Sequence, residues 1–302
     1  MKHVAVLMGG WSAEREVSLR SGAASIDALK DSDYKVTGID VDRSIAQRLS
    51  ELKPDVALNM LHGPYGEDGC VQGLLEILGI PYSHSGVLAS ALAMHKARAR
   101  DIFQRADIPV AEGRMCSRHE VASEHPMKVP YVVKPVANGS SVGVYIVRTD
   151  SDGPLKELAA DDWAFGEHVL VEKYIAGKEL TCAVMGDRPL GVIEITSDLP
   201  FYDYTAKYAP GGSKHLLPAP LPEDIYKRVQ ELALKAHAAL GCRGVSRSDF
   251  RYDEATGELV CLETNTQPGM TPTSLVPELA AHEGLTFPQL VTWMIEDASL
   301  GR

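Results

Sequence analysis

The feature that most constrains the fold is an alternation in the first eighty residues. A short apolar run, Val4 to Met8, stops at Gly9 and Gly10, and the stretch onward to Lys30 carries Val17, Ile26 and Leu29 at roughly helical spacing. Two similar units follow: Val36 to Val41 with a helix through Leu49, and Val56 to Met60 with a helix around Val71 to Leu78. Strands alternating with helices predict a parallel sheet, whose ligand-binding loops lie at the strand C-termini. Gly9 to Glu14 and His62 to Gly69 are such loops.

After a polar, helix-prone stretch from Met94 to Ala106 the pattern changes. Short β-rich runs at Tyr131 to Lys134, Val144 to Val147, Val169 to Glu172 and Leu180 to Met185 predict a second, antiparallel α+β unit. A third part begins near Gly186. It is expected to hold a strand to Thr196, a polar loop from Asp198 to Leu217, a long helix from Glu223 to Leu240, the strands Val245 to Tyr252 and Leu259 to Glu263, and terminal helices. The fold class is thus α/β and α+β, divided as 1–95, 96–185 and 186–302. There are no internal repeats, and the Pro/Gly-rich segment from Pro200 to Pro222 is the expected mobile loop.

Composition limits the function. A chain of 302 residues with 45% hydrophobic residues can build a real core. The net charge of −11 argues against a nucleic-acid partner, which needs clustered Lys and Arg. Five scattered cysteines without a C-x-x-C pair fit reduced thiols rather than disulfides or zinc. No signal-peptide pattern and no apolar run of membrane-spanning length is present, so a soluble, cytoplasmic protein without membrane association is expected.

Two segments carry chemistry. Lys134-Pro-Val-Ala-Asn-Gly139-Ser140-Ser141-Val-Gly143 is a glycine-rich loop between two β-like runs. Small residues there let backbone N–H groups approach phosphate oxygens, and the lysine adds charge complementarity. An ordinary hairpin loop is the plainer alternative. The segment is not a Walker loop, since it lacks G-K-[ST]. Gly139-x-Ser141-x-Gly143 also matches a hydrolase nucleophile elbow, but that motif needs a following helix, and Val144 to Val147 favours a strand.

The second segment pairs Arg247-Ser-Asp249-Phe-Arg-Tyr252 with Leu259-Val-Cys-Leu-Glu263-Thr-Asn265. If odd positions pair with odd, Arg247, Asp249, Glu263 and Asn265 share one face, while Phe250, Tyr252, Val260 and Leu262 form a core face. The plainer alternative is a solvated polar face. Two carboxylates about 4 Å apart repel by about 4 kcal/mol at an effective dielectric of 20, so such a pair calls for a cation. Carboxylate and amide oxygens suit Mg²⁺. Taken alone, Glu14, Arg15 and Glu16 are helix N-terminal charges, His62 is a loop histidine, and Lys96, Arg98 and Arg100 form a solvated helix face. Glu172, Lys173 and Glu179 would be surface charges.

Together these segments resemble the ATP-grasp ligases and, within them, the D-alanine:D-alanine ligases. The resemblance runs through Gly9-Gly-Trp-Ser-Ala-Glu-Arg-Glu-Val-Ser18, His62-Gly-Pro-Tyr-Gly-Glu-Asp-Gly69, the Lys134 loop, Tyr204-Thr-Ala-Lys-Tyr208, Gly244-Val-Ser-Arg-Ser-Asp249 and Glu263-Thr-Asn-Thr-Gln-Pro-Gly-Met270. Trp11 and the Gly211-Gly-Ser stretch depart from the family's more acidic residues, beside the functional positions. The resemblance implies that Lys96 and Lys134 bind ATP phosphates, that Glu172 and the backbone near Lys173 and Ile175 bind adenine, and that Glu179 binds ribose. It implies two Mg²⁺ ions, replaceable by Mn²⁺, on Asp249, Glu263 and Asn265. Glu14 would hold the ammonium of the first D-alanine near His62, and Ser274, Leu275 and Lys207 would orient the second.

Arg247 and the Gly269 N–H would stabilise charge on an acyl phosphate and tetrahedral intermediate, and Tyr208 and Ser140 would lock with Glu14 when a loop closes. A cytoplasmic homodimer serving peptidoglycan synthesis is also implied. Three alternatives stand beside this reading: a relative that makes a depsipeptide or uses another amino acid, a hydrolase on Ser141, and a nucleotide sensor without catalysis.

Overall fold

The computed structural model describes residues 1–139, 142–196 and 214–302. The expected parallel unit is present. Strands β1 (His3–Gly9), β2 (Lys35–Val41) and β3 (Val56–Asn59) form a parallel sheet in the order β2-β1-β3, connected through α1 (Arg15–Ala28) and α2 (Ile45–Leu52). All four residues of β3 are buried, as expected of a parallel strand covered on both faces. α2 and α3 (Cys70–Leu78) pack on Leu7, Ile39 and Ala57 from one side. The other side packs through Val4, Val6 and Leu58 against Leu29 and the residues of a C-terminal helix, α9 (Phe287–Asp297). α3 ends at Gly79, whose φ of 66° closes the helix in the left-handed region.

α4 (Val87–Met94) and α5 (Lys96–Arg105) lead to an antiparallel sheet in the order β4-β7-β5-β6, made of β4 (Gly113–Ser117), β5 (Tyr131–Pro135), β6 (Tyr145–Val147) and β7 (His168–Lys173), with the short α6 (Arg118–Ser123) beside it. The third sheet has the order β10-β9-β8-β11-β12 and contains β8 (Lys178–Met185), β9 (Arg188–Thr196), β10 (Lys214–Leu216), β11 (Val245–Asp253) and β12 (Glu258–Asn265). α7 (Glu223–Leu240) covers one face of it, and α8 (Leu275–His282) and α9 close the chain.

Three sequence expectations change. Leu180 to Met185 belongs to the third sheet, because β8 hydrogen-bonds to β9 and β11 rather than to the central strands. The end of the expected polar loop forms β10, which pairs with β9 at Leu216 and Glu194. The 247–265 hairpin starts in odd-with-odd register, Arg247 opposite Asn265 and Asp249 opposite Glu263, but a bulge follows, and Phe250 then opposes Cys261. The extra residue shifts side-chain alternation. Phe250 and Tyr252 therefore share their core face with Cys261 and Leu259, not with Val260 and Leu262. Val260 instead joins Ala111 and Ile175 in a small cluster on the opposite face, with Leu262 against it.

Candidate functional site

The central and third sheets face each other across a cavity of about 390 Å³. Val132 and Lys134 of β5 and Ile146 of β6 line one wall, and Asp249, Arg251, Leu262 and Glu263 line the other. Residues 172–179, which join β7 to β8, form the back. The bulge is what delivers Leu262 to this wall, whereas strict alternation would place it in the core.

The side of this cavity formed by Lys96, Lys134 and Arg100 is cationic and already paired. The ammonium of Lys134 lies 2.7 Å from Glu172 Oε2. Arg100 donates to the other Glu172 oxygen and, over 2.8 Å, to the Ala111 carbonyl. Burial alone would raise the Glu172 pKa, but Lys134 and Arg100 outweigh it and hold the carboxyl below its usual range. Lys96 Nζ lies 2.9 Å from Glu263 Oε2 and donates to the Asn138 carbonyl at 2.9 Å. Burial opposes its charge, yet Glu263, Glu172 and Glu67 raise its pKa on balance. Lys96 and Arg100 are thus not a solvated helix face. Their four-residue spacing puts both on the inward side of α5, where Arg100 is 5% exposed, while Arg98 ion-pairs with Asp101 at the surface.

Beside this lies an inner cleft shared by Glu14, His62, Glu67, Glu179, Arg247, Asp249, Glu263, Asn265, Gly269, Ser274 and Leu275. Arg247 grips Asp249 with two hydrogen bonds of 2.9 and 2.7 Å. Thr181 Oγ1 and Asn265 Nδ2 donate to the same carboxylate at 2.6 and 3.1 Å. Facing Glu263 across the strand pair, Asp249 completes a set of two carboxylates and one amide. Hard oxygen donors of this kind fit Mg²⁺. Among the described residues no group of three or more His, Cys, Asp or Glu side chains is arranged to hold a metal ion by itself. An ion held here would complete its shell from water or substrate oxygens, which is the habit of Mg²⁺.

Glu14 is buried at the N-terminal end of α1. His62 is buried nearby, with Nε2 3.4 Å from Ser21 Oγ, and burial lowers its pKa despite the opposing charge of Glu14. Ser274 sits at the N-terminal boundary of α8 without a side-chain cap bond, and its hydroxyl accepts from the Thr271 N–H at 3.0 Å. Gly269 lies so close to Ser274 that a Cβ would come within 2.9 Å of Ser274 Oγ. Leu275 is buried in the core at the helix start. Ile175 is buried at the back of the cavity between the sheets, and Glu179 lies 3.5 Å from Arg251. The Lys173 side chain is exposed and ion-pairs with Glu258 at 2.8 Å. Ser140, Ser141, Lys207 and Tyr208 lie outside the described residues. The hydrolase alternative loses its structural context, since the loop through Gly143 leads into strand β6 instead of a helix.

Sequence reasoning missed Arg100, Thr181 and Glu67. The first was readable from helical spacing to Lys96. Thr181 reaches Asp249 only through the β8–β11 register, which no local pattern announces.

The comparisons agree with this geometry. Residues 102–296 match the family model described as D-ala D-ala ligase C-terminus, and residues 44–85 match D-ala D-ala ligase N-terminus. The chain is 65% identical to a D-alanine–D-alanine ligase of Xanthobacter autotrophicus over 100% of its own length and 99% of the relative's. It is 64% identical to one of Methylorubrum populi, with the same coverage. A crystal structure of D-alanine–D-alanine ligase from Bacillus anthracis superposes with a TM-score of 0.85 at 33% identity, covering 98% of this chain and 97% of the other. The VanG D-Ala:D-Ser ligase of Enterococcus faecalis superposes at 0.82 with 32% identity and 98% coverage of both. The chain belongs to the D-alanine–D-alanine ligase family, with the ATP-grasp fold.

Proposed function

We propose that this chain is an ATP-dependent ligase that joins two D-alanine molecules into D-alanyl-D-alanine for peptidoglycan synthesis, through a D-alanyl phosphate and with release of ADP and phosphate. The observation that carries the reading is the meeting of two differently charged walls in one cleft. Lys96 and Lys134 line the cavity between the sheets, which suits the phosphates of ATP, and Glu14 and Arg247 line the cleft beside it, which suits an amino acid. A carboxylate is a poor electrophile, and phosphorylation gives it a leaving group. The chain's part is then positioning and electrostatics.

In this reading Lys96 and Lys134 hold the phosphates, while Glu172, whose carboxylate also pairs with Lys134, helps bind the adenine. Ile175 and the backbone at Lys173 take the adenine, and Glu179 takes the ribose. Asp249, Glu263 and Asn265 hold two Mg²⁺ ions, with Mn²⁺ as a substitute, which neutralise the phosphate oxygens when bound. Glu14 takes the ammonium of the first D-alanine beside His62. Arg247 and the Gly269 N–H stabilise negative charge on the carboxyl oxygen, and Ser274 and Leu275, at the start of α8, orient the second substrate with Lys207. Tyr208 and Ser140 join Glu14 in closing the site against water. We further propose a homodimeric, cytoplasmic enzyme built of units 1–95, 96–185 and 186–302, the second lending its last strand to the sheet of the third. No helix among the described residues is long and apolar enough to cross a membrane.

The test is ligation of D-alanine labelled with heavy oxygen in its carboxylate. Label should appear in released phosphate, one phosphate per dipeptide, with L-alanine inactive. Label in AMP, or equal use of L-alanine, would overturn the reading. The likeness to a D-Ala:D-Ser ligase makes a competition between D-alanine and D-serine for the second position the natural companion experiment, and D-alanyl-D-alanine should dominate.

A further inference from the structure

The start of α8, where Ser274 and Leu275 reach the inner cleft, is held from outside the cleft lining by a contact between a histidine and a carboxylate. His215 Nδ1 lies 2.6 Å from Glu278 Oε2. An ionised carboxylate only accepts, so the ring donates, and it can do so neutral or charged. Glu278 is the fourth residue of α8, and its N–H closes the first turn on the Ser274 carbonyl at 3.4 Å. Helical side chains lean toward the N-terminus and cover the turn before their own, which aims Glu278 toward the turn that Ser274 and Leu275 begin. His215 meets it from β10, at the position opposite Ile195 of β9. Ile195 itself lines both the cavity between the sheets and the inner cleft. The contact is partly sheltered, with 18% of the His215 side chain and 37% of the Glu278 side chain accessible.

An acidic side chain in the first turn suits a helix, because the N–H groups there carry partial positive charge. At this helix it also competes with a ligand. No side chain caps α8, and the Ser274 hydroxyl is engaged with Thr271, accepting from its N–H at 3.0 Å and sharing a hydrogen bond with its Oγ1 at 2.7 Å. Pro277 has no N–H, so Leu275 and Val276 are the donors of the first turn. An amino acid that attacks through its amine keeps its carboxylate, and the start of a helix favours such an anion. A Glu278 side chain free to fold back over this turn would repel it. Tied to His215, the side chain is held aside.

We propose that His215 is a positioning residue of the ligation reaction, holding the Glu278 carboxylate away from the first turn of α8 and so keeping that turn open to the carboxylate of the second amino acid. This rests on the function proposed above. Because β10 is hydrogen-bonded to β9, the restraint is anchored in the third sheet and not in the helix that it serves.

The experiment uses the full-length enzyme and four variants. The KM values of the two D-alanine positions are separated by the dependence of rate on concentration. Hydroxylamine, a nucleophile without a carboxylate, traps the acyl phosphate as D-alanyl hydroxamate and reports activation without the second amino acid. His215→Ala should raise the KM for the second D-alanine by about tenfold, through the freed negative charge. Hydroxamate formation and the KM values for ATP and the first D-alanine should stay within about twofold. His215→Asn keeps a donor and should recover part of the loss. Glu278→Gln alone should stay within about twofold of the parent, and His215→Ala combined with Glu278→Gln should return the second KM to within about threefold. An unchanged second KM in His215→Ala would overturn the proposal. So would a double variant as impaired as His215→Ala, since the harm would then not come from Glu278. An equal loss of hydroxamate formation would mean a structural role and would overturn it as well. If the parent enzyme ligates D-alanine while the second KM ignores His215, this proposal alone falls; if the parent fails to ligate D-alanine, the functional reading falls and takes the proposal with it.

Discussion

The two halves of the cleft handle buried charge in opposite ways. In the cavity between the sheets, proposed to bind ATP, two carboxylates already have protein cations: Glu172 has Lys134 and Arg100, and Glu263 has Lys96. In the inner cleft, proposed to bind the amino acid, Glu14 and Glu67 share the lining with Arg247. The first half is made largely of side chains projecting from strands and one helix. The second adds, to side chains from β11 and β12, the loops after β1 and β3 and the start of α8. A side built with internal counter-charges should lose stability when one is removed, and a side proposed to bind the amino acid should lose substrate affinity instead.

The largest expected effect is on rate, where the two halves meet. Asp249→Asn or Glu263→Gln should lower turnover by at least about 10²-fold, since each removes an anionic ligand from the ions that neutralise the transferring phosphoryl group. The fold should survive. Near-normal turnover with an unchanged Mg²⁺ requirement in both variants would remove the metal assignment.

Arg100→Met sharpens the contrast. Both partners of the Arg100–Glu172 pair are almost fully buried. Removing one partner of such a pair typically costs about 3–5 kcal/mol, because the other charge stays behind. Denaturant unfolding should show a loss of this size, moderated by Lys134. Glu67→Gln, by comparison, should leave stability nearly unchanged. Equal stability losses in the two variants would erase the distinction between the halves.

How much of this was legible in the sequence follows the same division. The parallel unit, the long helix Glu223–Leu240 and the odd-with-odd start of the 247–265 hairpin could be read from periodicity, because each element's pattern is local. The sheet membership of β8 could not, since a strand's partners are set by tertiary packing. The single-residue bulge at Leu262 was equally invisible, and it reversed the expected facing of Val260, Cys261 and Leu262. In the site, Asp249 and Glu263 emerged from alternation. Glu14, His62, Gly269 and Ser274 gave no physical signal alone and were singled out by resemblance, because loops carry no period. Glu67 sits inside the His62–Gly69 motif, yet the cleft it shares with Gly139 and Glu14 brings together residues distant in sequence.

The smallest expected effect concerns acid, and it tests two buried histidines that line neither the cavity nor the inner cleft, His84 and His237. His84 is 1% exposed, has a φ of 68°, and receives the Arg302 guanidinium on its carbonyl at 2.9 Å. Burial lowers its pKa to about 4, with the Val245 carbonyl and Asp297 opposing this and Arg302 and His62 assisting it. Burial also lowers His237 to about 4, with Arg243 assisting and Asp297 opposing. A histidine kept neutral by the fold binds fewer protons than in the unfolded chain, whose value is near 6.5. Stability is therefore full above about pH 6.5 and falls as pH drops toward about 4, below which these two groups add no further slope. His84→Asn tolerates the left-handed backbone and cannot titrate. It should flatten the decline in unfolding temperature between pH 6.5 and 4 without flattening it completely, since His237 remains. An identical pH profile in parent and variant would show that His84 is not among the groups protonated on unfolding.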